Sequence, residues 1–110
     1  MFTQVEVEER IRRVMDEMEE RVREYDQLAR RAANADADYR YQRARMVLGL
    51  LDKNMTAQSR DAHADHECVG YRREMLIAMA SRDSCRESLS TLREMLNGLR
   101  TLAANVRQMV

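Results

Sequence analysis

The residue types that could do chemistry gather in one run, D-A-H-A-D-H-E-C, from Asp61 to Cys68. His63 and His66 stand three apart, Asp65 and Glu67 lie beside them, and Cys68 closes the run. Imidazole, thiolate and carboxylate are the ordinary ligands of zinc. The spacing matches no zinc motif, however, and the H-E-x-x-H pattern does not occur. A further ligand would have to come from elsewhere, where Arg, Tyr and Met predominate. The run therefore predicts no metal and no other cofactor. It predicts two partly exposed histidines and a small buried cysteine.

Glu17, Glu20 and Glu24 have the spacing of one helix face. Such spacing is ordinary on a charged helix. No pair of E-x-x-H motifs marks a di-iron bundle. Neither a glycine-rich phosphate loop nor a serine nucleophile elbow is present. A helical hairpin also offers no deep concavity of the kind enzymes use. No catalytic residues and no enzymatic activity are expected.

The elements that carry these residues are helices. From Cys68 onward, apolar residues recur in steps of three and four: Tyr71, Met75, Ala78, Cys85, Leu89, Leu92, Leu96, Leu99, Ala103, Val106 and Val110, with Arg82 the one polar member. This period lies near 3.5, that of helices packed along their length. A matching seam in the first half runs Ile11, Met15, Met18, Val22, Tyr25, Ala29, Ala32, Asp36, Tyr39, Arg43, Met46 and Leu50. Thr3 with Glu6 has capping-box spacing, and Thr56 is suited to cap a second helix. A single domain over residues 1–110 follows: a helix from about 4 to 51, a turn over 52–56, and a helix from about 57 to 109. Glycines at 49, 70 and 98 are the only ones, and proline is absent. Gly70 is a place where another backbone would come close.

The expected fold is all-α, a long antiparallel helical hairpin of coiled-coil type. Folding at the turn opposes positions whose numbers sum to about 108, as short-looped antiparallel helices require. Three polar seam residues then gain partners to fix register: Asp36 with Arg72, Arg43 with Asp65, and Arg82 with Asp26. Apolar residues beside the seam, among them Val14, Leu28, Val47, Ile77, Met95 and Leu102, widen each stripe beyond what one neighbour covers. The hairpin is thus expected to dimerise into a four-helix bundle. Self-association is assigned to Leu89, Leu92, Leu96 and Leu99, with Ile11, Met15 and Met18 opposite.

Lys plus Arg and Asp plus Glu both number 19 in the 110 residues, so the formal charge is zero. A nucleic-acid module usually shows a basic excess. Charge is nonetheless uneven. Residues 6–26 hold nine acids and five bases, whereas residues 27–51 hold five arginines and two aspartates. Arg30, Arg31, Arg40, Tyr41 and Arg45 form the candidate surface for a nucleic acid or partner protein, since cations beside an exposed ring grip phosphates and stack on bases. Cys68 and Cys85 lie roughly 25 Å apart on one helix, too far to bridge, which points to a reducing compartment. Neither a secretory leader nor a membrane span is legible, so a cytoplasmic protein is expected.

The Ala/Arg-rich first helix, Y-R-Y-Q-R-A-R (residues 39–45), the short turn, and S-T-L-R-E-M-L-N-G-L-R-T-L-A-A-N-V-R (residues 90–107) resemble small helical proteins encoded by bacteriophages and prophages of GC-rich hosts. The resemblance covers about two thirds of the chain, from about Ala29 onward. It implies a phage-associated adaptor in the host cytoplasm and brings no functional residues with it. The expected function is a non-enzymatic protein–protein interaction or assembly adaptor that binds itself and an unidentified host or phage protein. The alternatives are a nucleic-acid accessory of phage replication or recombination, and a virion or tail assembly component.

Overall fold

The first helix begins on a reciprocal cap. Thr3 Oγ1 accepts the Glu6 N–H at 3.2 Å, and the Glu6 carboxylate accepts the Thr3 N–H at 3.1 Å. Two donors that a helix start would leave unpaired are satisfied together. A computed structural model describes residues 2–109 and contains three helices: α1 (Gln4–Gly49), α2 (Ala57–Glu67) and α3 (Val69–Gln108). The fold is an all-α helical hairpin. α1 is unbroken through Asn34, and α3 through Gly98.

α1 ends at Gly49, two residues before the expected stop. The chain leaves it through tighter turns, with Leu50 N–H on the Val47 carbonyl at 3.1 Å and Lys53 N–H on the Leu50 carbonyl at 3.1 Å. Thr56 starts α2 as anticipated: its extended backbone lets the side chain accept the Ser59 N–H at 3.1 Å.

The second arm is not one helix. It divides at Cys68, whose ψ of 13° lies off helical geometry. The Cys68 N–H still reaches the Ala64 carbonyl at 2.9 Å, and Arg72 N–H reaches the Cys68 carbonyl at 3.0 Å. The irregularity is therefore one residue wide. Cys68 is held in the seam at 2% exposure, while Val69 beyond it is 65% exposed and gains no packing. Val and Gly are both poor helix formers, so this is where the arm yields. Gly70 does not serve a close approach within the chain: a Cβ added there would meet nothing within 4 Å.

The chain forms two compact units. One comprises the stretches up to Asp26 and from Asp83 onward; the other is Gln27–Arg82. In the first unit Val14, Leu92 and Leu96 make a buried cluster, with Ile11, Met18 and Leu99 packed against it. Val7, Cys85, Leu89 and Ala103 extend that seam. Val14 packs on Leu92 and Leu96, while Arg21, further along α1, meets Cys85, earlier on α3, so the two helices run antiparallel. In the second unit the buried side chains are mostly small: Ala32, Ala64, Cys68 and Ala78, with Leu50 at the turn. Arg43 meets Asp65 there, and Arg31, earlier on α1, shares a groove with Tyr71 and Glu74, so this pairing is antiparallel too.

From Met75 to Val106 the seam of α3 lies where the three-and-four spacing put it; Tyr71 before it is 44% exposed, and Val110 lies outside the described residues. The seam of α1 is displaced in the first unit. Val14 is buried and Met15 is 45% exposed; Arg21 is half-buried and Val22 is 56% exposed. The inward series is Val7, Ile11, Val14, Met18, Arg21 and Tyr25. Val14 and Arg21 each sit one residue earlier than the seam drawn from the sequence, and Ile11, Met18 and Tyr25 lie on it.

Candidate interaction surfaces

Of the residues assigned to self-association, Leu89, Leu92 and Leu96 are 6–8% exposed and are spent inside the hairpin. Ile11, Met18 and Leu99 are half-buried against the same cluster. Only Met15 stands open. The correction has a simple cause: two helices must first cover each other, and the strongest apolar row goes to that contact.

What the hairpin leaves uncovered lies to either side of the seam. In the first unit, Met95, Gly98, Leu99 and Leu102 of α3 line a groove with Arg10, Arg13 and Val14 of α1. A different groove is lined by Met15, Met18, Glu19, Val22 and Arg23, with Leu96 at its floor. Two helices cannot close both sides of their own contact, so each groove keeps apolar walls and charged rims. Arg21 occupies a seam position by lying along it. Its guanidinium reaches Glu24 at 2.8 Å, and that hydrogen bond raises its pKa above the ordinary arginine value. Its Nε is buried without a partner, while its carbonyl accepts the Cys85 thiol at 3.5 Å.

In the second unit, Arg43 Nε donates to Asp65 at 2.9 Å and a terminal nitrogen lies 3.5 Å from Asp61. The Asp65 hydrogen bond, followed by its charge, raises the Arg43 pKa. Asp36 does not meet Arg72. It takes Arg40, one turn on in its own helix, at 3.1 Å. An i,i+4 partner is always within reach, whereas a cross-helix partner depends on both rotamers. Asp26 and Arg82 belong to different units.

The five residues of the candidate nucleic-acid surface do not converge. Arg30 and Arg31 line a groove with Gln27, Asn34, Asp38, Tyr71 and Glu74. Arg45 lines another with Gln42, Met46, Lys53 and His63, near the end of α1. Tyr41 is 65% exposed, and Arg40 is already paired. The trio Arg45, Lys53 and His63 was not foreseen, because Lys53 and His63 join Arg45 only once the turn is made.

Cys68 points into the seam while His63 and His66 face outward, and both cysteines are free buried thiols. Among the described residues, no three His, Cys, Asp or Glu side chains gather as a metal site would require. No helix among them is long and apolar enough to cross a membrane. Compared with known proteins, the chain matches no family model, no curated protein and no solved structure.

Proposed function

We propose that this chain is a non-enzymatic interaction and assembly protein acting through helix-on-helix association, first with a second copy and then with a partner protein. The observation that carries this is the apolar surface left open in the first unit: Met15, Val22 and Met95, along its two grooves, are 45–56% exposed. Contiguous exposed apolar side chains rimmed by charge mark an interaction surface. We further propose, on the resemblance from Ala29 onward, that it works in the cytoplasm of a phage-infected or prophage-bearing cell.

Size-exclusion chromatography with light scattering, run from nanomolar to high micromolar protein, tests this. A dimer that dissociates on dilution is expected. A compact monomer at every concentration, capturing no partner, would remove the proposal. A second role, as a nucleic-acid accessory, is favoured by one observation: the groove at Arg45, Lys53 and His63 has no acidic residue on its wall. Binding to a single-stranded oligonucleotide that weakens steeply with salt is its test.

A further inference from the structure

The face of α1 turned away from the seam changes character along its length. Arg12, Asp16, Glu19, Arg23, Asp26 and Arg30 follow it in steps of three and four, and all are exposed. Charge at every step is the ordinary outer face of a helix. The same row continues as Asn34, Ala37, Tyr41, Ala44, Leu48 and, just past the helix, Leu51. No member of this stretch is charged, in a chain that is 35% charged.

None of these six is covered by the chain itself. Tyr41 is 65% exposed, Leu48 66% and Leu51 52%, and Asn34 and the two alanines are exposed as well. The Leu51 N–H meets the Leu48 carbonyl at 3.3 Å, a three-residue turn that sets the two leucines one over the other. On the opposite side of the helix, Ala32 and Leu50 are buried and Tyr39 and Met46 half-buried. This half of α1 therefore carries apolar rows on two opposite faces, and the second arm covers one. An apolar row of this spacing is completed by another helix. All of it lies within the unit Gln27–Arg82.

The charges along one edge of the row decide what fits it. They are Arg31, Asp38, Arg45 and, past the helix, Asp52. None of the four has an ion-pair partner among the described residues of its own chain. A border of both signs does not match a lipid or nucleic-acid surface, which presents phosphates alone. It matches itself reversed. With positions whose numbers sum to 85 set level, Leu48 lies against Ala37 of a second copy, Tyr41 against Ala44, and Leu51 against Asn34. A large side chain meets a small one in every layer. Along the edge Asp38 falls beside Arg45 and Arg31 beside Asp52, each pair of unlike charge and each made twice. A two-fold contact is one patch meeting itself, so the patch must be its own complement in shape and charge.

Other registers lose this match. A slip of seven residues one way sets Arg45 beside Arg45 and Asp38 beside Asp52. A slip the other way sets Asp38 beside Asp38 and Arg31 beside Arg45. Two copies lying parallel would set Arg40 beside Arg45, since flanking positions of opposite edges then meet.

We infer that a second copy of this chain packs antiparallel on the outward row of α1 from Asn34 to Leu51. This rests on the self-association proposed above and gives it a surface in the second unit. The grooves of the first unit are then left to the partner protein.

The test uses full chains carrying Arg45→Asp or Asp38→Arg. Alone, either variant sets like charges together at two places in its homodimer. Mixed one to one, the two set unlike charges together at both places. Sedimentation at low salt should show each variant dissociating at about tenfold higher concentration than the parent, or more. The mixture should regain the parent's dimer. Leu48→Glu places a charge in the row at an exposed position, and should give a monomer that keeps the parent's helicity by circular dichroism. A dimeric parent that none of these variants weakens would overturn this surface and leave self-association standing. A dimer weakened by Leu48→Glu alone, with no preference in the mixture, would overturn the antiparallel register. A parent that is monomeric throughout would overturn both the contact and the self-association.

Discussion

Leu96 and Met15 both fall on seams drawn from apolar spacing, yet the structure gives them opposite surroundings. Leu96 is 6% exposed in the cluster with Val14 and Leu92, whereas Met15 is 45% exposed. Leu96→Ala removes three buried carbons, worth about 0.8 kcal/mol each in transfer alone. The grooves on either side let neighbours and solvent relax into the gap, so the cavity contribution is small. The expected loss is about 2.5–3 kcal/mol, near the low end for a buried leucine. In a chain of this size that lowers the midpoint by roughly 10–20 °C. Met15→Ala forfeits contacts already half made with water and gains a few tenths of a kcal/mol in helix propensity, so it should cost under about 1 kcal/mol. Thermal unfolding followed by far-ultraviolet circular dichroism reads both. Parent and variants must share one protein concentration, since association moves the midpoint. Equal losses at the two positions would refute the displaced seam of α1 and the exposure of the Met15 groove with it.

Thr56→Ala should cost about 1 kcal/mol by leaving the Ser59 N–H without its acceptor, measured by urea unfolding, with Thr56→Ser close to the parent. Reversing Arg43 to Asp, or Asp65 to Arg, should each lower the midpoint, and the double exchange should recover most of the loss in a double-mutant cycle. An additive double exchange would mean the 2.9 Å pair contributes nothing. Gly98→Ala should stabilise the hairpin by about 0.5–1 kcal/mol, read by urea unfolding, because a Cβ there meets nothing within 4 Å and alanine is the better helix former.

The second arm was legible because its inward positions hold Leu, Cys and Ala while their neighbours are mostly polar or charged. Leu89, Leu92 and Leu96 admit one phase only. The first arm was ambiguous by one residue. At 14 and 15 the chain offers Val then Met, and at 21 and 22 Arg then Val. Three-and-four stepping allows either pair, and the apolar Val22 favours the one that takes Met15 with it, yet the structure chooses Val14 and Arg21. An arginine can hold a seam position by laying its methylenes along the contact and carrying its charge out to Glu24. No hydrophobicity scale credits it with that. Self-association was assigned to the strongest apolar row, Leu89, Leu92, Leu96 and Leu99, which the chain's own first helix was bound to claim: two helices cover each other first, and the residues with most to gain from burial go to that contact.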